Sequence, residues 1–181
     1  MKKPELLAPA GNLTKLKIAL AYGADAVYAS TGSFSLRQRS AKEFSKESFA
    51  QGVAYAHERG KKLYATVNGF ATNGQLENIK RHLEFLRDLR VDGILIATLG
   101  VASLARAVAP EIPIHVSTQA NVLNYLDAQV WAELGAVRIV AAREMTLKDA
   151  VEIKDKIPNL EIEIFVHGSM CFAYSGRCLV S

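Results

Sequence analysis

Short apolar runs alternate along the chain with longer stretches whose apolar residues recur at helical spacing. Residues 6–10 form an apolar run ending in Pro-Ala-Gly, which predicts a strand meeting a tight turn. Leu13, Leu16 and Leu20 then mark one face of a helix. Asn12 is placed to accept a hydrogen bond from the first turn of that helix, and Gly23 supplies the left-handed freedom that a helix end often needs. Residues 26–29 (A-V-Y-A) predict a second strand, and residues 30–43 a polar loop too long for a simple connection. Ser45 reads as the next N-cap, with Phe49, Val53 and Ala56 as the buried stripe.

The alternation continues. Residues 62–67 predict a third strand ending at Asn68-Gly69, and Leu76, Ile79, Leu83 and Leu86 a third helix. Strand 93–97 precedes helix 101–108, which Pro110 stops. Strand 114–116 runs into the polar Ser117-Thr118-Gln119, and helix 126–134 ends at Gly135. Strand 137–141 leads to Arg143-Glu144. Thr146 with Asp149 three residues on has the form of a capping box, opening a helix that runs to Ile157-Pro158. Residues 160–166 predict a seventh strand, which delivers His167 and a loop holding both cysteines, Cys171 and Cys178.

Seven predicted strands alternate with six predicted helices, and the strand runs are mostly apolar throughout, as strands buried on both faces are. The fold class is α/β with a parallel sheet. No G-x-G-x-x-G follows a strand, which removes the main sign of a dinucleotide fold. Near-equal units point instead to a TIM-like (β/α)8-type barrel, incomplete, with about seven strands in this chain. Such a barrel leaves two sheet edges unpaired. The expectation is one barrel domain over residues 1–181, truncated before its last strand and a C-terminal region, or covered by a partner.

Composition narrows the class little further. The 181 residues suit one domain, half are hydrophobic, and no linker divides them. The N-terminus lacks an apolar signal-peptide core, no run is long enough to span a bilayer, and two cysteines make no disulfide framework. A cytoplasmic location with reduced thiols is expected. The net charge of +4 permits an acidic partner without demanding one. The basic segment 80–90 carries Leu83 and Leu86 at helical spacing, so its charges read as a solvated face, with His57 and His82 expected on helix surfaces.

In a barrel the chemistry sits at the C-terminal ends of the strands. There the chain places Asn68, Gln119, Arg143 and His167, a polar and amide-rich set suited to a polar or anionic small molecule. The alternative is that strand ends are polar because they meet water. Arg37, in the long second loop, can close over a carboxylate or phosphate or can simply be solvated. His115 and His167 are both placed to face inward. Thiolates bind soft metals, yet two do not hold a cluster, and H-x3-C-x6-C is outside the usual zinc spacings. Two free thiols is the alternative reading. No G-x-S-x-G elbow or other nucleophile motif is present, so no catalytic residue is assigned.

The stretch 163–181, E-I-F-V-H-G-S-M-C-F-A-Y-S-G-R-C-L-V-S, resembles the signature of the collagenase-like peptidase family, peptidase family U-32. Glu163, Phe165, Gly168, Ser169, Cys171, Gly176, Cys178 and Ser181 carry it, with E-L-L-A-P-A-G at 5–11 and S-T-Q-A-N at 117–121 in agreement. The resemblance covers the whole chain. It implies a peptidase by the family's label. It also implies kinship with proteins of ubiquinone hydroxylation and of RNA hydroxylation, acting on a tRNA uridine or a ribosomal cytidine, the tRNA branch with prephenate. In such relatives four cysteines hold a 4Fe–4S cluster, and Cys171 and Cys178 correspond to the first two. The chain departs from the pattern at Thr98-Leu99, where many relatives have Asp-Pro. The implied reading is the N-terminal barrel of an iron–sulfur protein supporting hydroxylation of RNA. Alternatives are a peptidase, or a non-catalytic binding or scaffold subunit acting with a family partner.

Overall fold

A computed structural model describes residues 3–31, 34–35, 44–168, 171 and 173–176. Within them the strands are β1 (Leu7–Pro9), β2 (Ala26–Ala29), β3 (Lys62–Val67), β4 (Gly93–Ile96), β5 (Ile114–Val116), β6 (Ala136–Val140) and β7 (Glu161–Glu163). The helices are α1 (Leu13–Ala21), α2 (Lys46–His57), α3 (Leu76–Asp88), α4 (Leu99–Val108), α5 (Tyr125–Glu133) and α6 (Leu147–Lys156). The strands form one sheet in sequence order, every neighbouring pair parallel. Each helix crosses from one strand to the next, as the strand–helix alternation requires.

Local chemistry explains the boundaries. The side chains of Asn12, Ser45 and Thr146 accept hydrogen bonds from Lys15 N, Ser48 N and Asp149 N, and Thr146 with Asp149 forms a reciprocal capping box. Gly23 and Gly135 take positive φ where α1 and α5 end. Two short 3₁₀ turns, Asn73–Gln75 and Thr118–Ala120, add to the pattern read from the sequence. Strand β7 is shorter than its apolar run, because Ile164, Phe165 and Val166 leave the sheet and are exposed.

The sheet is curled. In a flat sheet β1 and β6 would lie about 24 Å apart, five strand spacings. Here Arg138 on β6 places Nη1 2.9 Å from Oε1 of Glu5, just before β1. Two apolar layers follow from the pleat. Leu63, Ala65 and Val67 of β3 face the helices in the main core, with Leu16, Phe49, Leu83 and Ile94. Tyr64 faces the inside of the curl with Ala26, Leu95 and Val140. The fold is therefore the TIM-like incomplete barrel expected, with β1 and β7 as its two sheet edges among the described residues. No helix among the described residues is long and apolar enough to cross a membrane.

One expectation fails. His82 is buried at 5% exposure, rather than on the surface of α3. It shares the stripe of Ile79, Leu83 and Leu86, and packs between Phe34 and Phe85.

Candidate functional site

The lumen of the curl is polar at its N-terminal half. Arg138 sits there almost fully enclosed, hydrogen-bonded to Glu161 Oε2 through Nε at 2.9 Å and Nη2 at 2.6 Å, and to Glu5 through Nη1. Glu5 also accepts from Tyr64 Oη at 2.8 Å and Lys62 Nζ at 2.9 Å. Glu163 Oε2 lies 3.5 Å from Arg138 Nη1, at ion-pair distance without hydrogen-bond geometry. A register irregularity between Ile114 and His115 sets Arg138 opposite His115. The His115 ring meets the Tyr64 ring edge-on at 4.6 Å.

Burial governs the protonation of these groups. Desolvation lowers His115 to about 3, with the Arg138 charge adding to it, so the imidazole is neutral at ordinary pH. Desolvation also pushes the Glu163 carboxyl up, against the pull of Arg138. For Glu5, burial pushes up as well, but the bonds from Lys62, Tyr64 and Arg138 outweigh it and keep the carboxylate ionised. Tyr64 is raised by burial and by its bond to Glu5. This network braces the curl from within. Periodicity alone did not single it out; the signal was a lone arginine inside the apolar run A-V-R-I-V.

At the C-terminal mouth three strand ends come together, and the cysteine loop lies against two of them, those of β5 and β6. Asn68, after β3, donates from Nδ2 to Ser117 Oγ after β5, at 3.2 Å. Ser117 Oγ also accepts from Gln119 N at 3.3 Å. The Oδ1 atoms of Asn68 and Asn121 are buried and accept no hydrogen bond. After β6, Arg143 donates from its backbone N to Ser175 Oγ at 3.2 Å, and from Nη2 to Ala173 O at 2.6 Å. Glu144 Oε1 accepts from Ser175 N at 2.9 Å. Partial burial raises the Glu144 carboxyl, but the bonds from Ser175 outweigh it and hold it below its usual range. Gly176 has φ of +73°, and a Cβ there would stand 2.7 Å from Gln119 O. Only glycine lets the loop lie this close.

The structure thus brings Asn68, Gln119 and Arg143 to one mouth. Asn68 and Gln119 converge on Ser117, and Arg143 holds the loop that follows β7. His167 is exposed on that loop rather than turned inward. Cys171 is a free, exposed thiol. Arg37 and Cys178 lie outside the described residues. Among the described residues no cluster of three or more His, Cys, Asp or Glu is placed to hold a metal ion. Cys171 fits a soft metal in chemistry and accessibility, as one ligand of a larger set. Ser175 and Gly176, which seat the loop, were not singled out as site residues from the sequence. Away from the mouth, a hollow of about 540 Å³ lies between Arg87, Arg90 and Glu111, at the opposite face of the barrel.

Residues 11–181 match the family described as peptidase family U32. The tRNA hydroxylation protein P of Helicobacter pylori is 61% identical over 181 residues, all of this chain and 43% of that protein. An uncharacterized protease of Methanocaldococcus jannaschii is 40% identical over 182 residues, covering 98% of this chain and 44% of that one. The chain therefore spans about two-fifths of the length of these relatives. The solved structure of a U32 peptidase superposes with a TM-score of 0.73 at 17% identity, covering 91% of this chain and 70% of that one, a likeness of fold.

Proposed function

The chain belongs to peptidase family U32, and from that premise we propose that it is the N-terminal barrel of an iron–sulfur protein that supports hydroxylation of a tRNA base. The observation that carries this reading is the 61% identity over 181 residues, all of this chain, to a tRNA hydroxylation protein. Cys171 and Cys178 are ligands of a 4Fe–4S cluster whose remaining ligands lie outside this chain. When bound, the cluster supplies electron transfer at the rim of the barrel. Asn68 and Gln119 line the adjacent mouth and orient a small carboxylate such as prephenate. The net charge of +4 permits an RNA partner without demanding one.

The peptidase reading keeps support from the family's description and from the archaeal relative. Against it, the sequence carries no G-x-S-x-G elbow or other recognisable nucleophile motif. The described thiol, Cys171, is exposed on the rim. The test is nucleoside mass analysis of bulk tRNA from cells lacking the gene, complemented with wild type or Cys171→Ser. The expected result is loss of one hydroxylated nucleoside, restored by wild type and not by the variant. Unchanged tRNA, with gelatin cleaved by the purified longer protein, would overturn the reading.

A further inference from the structure

We infer that Arg143, Glu144 and Ser175 form a clamp that fixes the cysteine loop on the end of β6, making Arg143 and Glu144 positioning residues for the cysteine ligands. The inference rests on the reading that Cys171 and Cys178 hold a cluster. It assigns Arg143 to the loop rather than to substrate.

The geometry is specific. Strand β7 ends at Glu163, and the chain from Ile164 to His167 is largely exposed. Among the described residues no hydrogen bond or ion pair pins that stretch. Eight residues further on, Ser175 is only 1% exposed. It is seated by both of its polar groups: its N–H donates to Glu144 Oε1, and its hydroxyl accepts from Arg143 N. Two residues earlier, the Ala173 carbonyl accepts from the Arg143 guanidinium. Two adjacent residues after β6 thus make three hydrogen bonds to a segment of three residues, two of them charge-assisted and so among the stronger kind. Gly176 continues the contact onto Gln119 and Asn121, with no room for a side chain. The clamped segment begins two residues after Cys171, so holding it limits where that sulfur can go. A metal site gains from such support because ligands already in place need not be ordered on binding.

The clamp is tested in the longer protein. Variants are Arg143→Met, Glu144→Ala, Glu144→Gln and Ser175→Ala, with Cys171→Ser as control. The first readout is hydrogen exchange of the peptide containing residues 173–176 in iron-free protein. Exchange should quicken about tenfold in Arg143→Met, Glu144→Ala and Ser175→Ala, and stay near wild type in Glu144→Gln, whose amide oxygen still accepts the Ser175 N–H. The second readout, on anaerobically reconstituted protein, is the rate at which a chelator removes iron. It should rise about 10–100-fold in the first three variants and little in Glu144→Gln. Wild-type exchange and iron loss in all four overturn the clamp. If wild type binds no iron, or Cys171→Ser keeps a full complement, the cluster reading fails and the exchange data still judge the clamp. Should Arg143→Met fail to fold, Ser175→Ala deletes a single hydroxyl and carries the same expectation.

Discussion

His82 shows how one buried side chain ties stability to pH. Burial lowers it from 6.5 to about 4, and the Lys46 charge adds to the shift. Above pH 6.5 neither the folded nor the unfolded chain protonates it. As pH falls below 6.5 the unfolded chain takes up a proton that the folded one refuses, so stability is lost down to about pH 4. Between pH 7 and pH 5 this one group removes about 2 kcal/mol. Denaturant titrations of wild type and His82→Gln at the two pH values should show the variant losing less by about that amount. Equal losses would place the protons elsewhere. His82 was legible in part: it falls three residues after Ile79, on the stripe that the sequence reveals. Its type, more often found on surfaces, argued the other way. The lumen charges were less legible. Arg138 and Glu163 sit on the paired strands β6 and β7, but Glu5 precedes β1 at the other end of the sheet, and only the curl brings it to them.

Whole elements were the most legible part of the chain. Seven strands and six helices stand where apolar runs and helical stripes predict them, because each repeats the same local physics. Caps at Asn12, Ser45 and Thr146 fixed the helix starts. What the pattern missed is how elements touch. Gly93 opens β4, and a Cβ there would meet His115 Cε1 at 2.9 Å and Tyr64 Cδ1 at 3.1 Å. Its missing side chain is what lets the two rings cross the lumen. Both rings belong to a closely packed layer, and Tyr64 is also tied to Glu5, so neither yields freely. Gly93→Ala is expected to cost about 1–3 kcal/mol, read as a fall in melting temperature. A neutral result would show that the layer can slide. The mouth was half legible for a similar reason. Strand ends predicted Asn68, Gln119 and Arg143, but no sequence rule shows that a loop 30 residues on folds back to engage Arg143.

At the scale of the whole molecule, the chain is an open barrel with its charged hub inside and its cysteine loop on the rim. The hub reaches across the open side: Arg138 spans from β6 and β7 to Glu5, two residues before β1. Near those edges Leu6, Ile164, Phe165 and Val166 remain exposed. Both edge strands have hydrogen-bonding positions to offer a further strand. Curl, clamp and mouth together would set the proposed soft-metal centre beside the polar strand ends of the mouth. That juxtaposition is the core of the functional reading, and it depends on Cys171 being a ligand. The most direct measurement is the visible absorption and iron content of the longer protein purified without oxygen, as wild type and as Cys171→Ser. The account predicts a brown wild-type protein with about four irons per chain, and loss of both colour and iron in the variant. A colourless, iron-free wild type, or a variant that keeps its full complement, would contradict it.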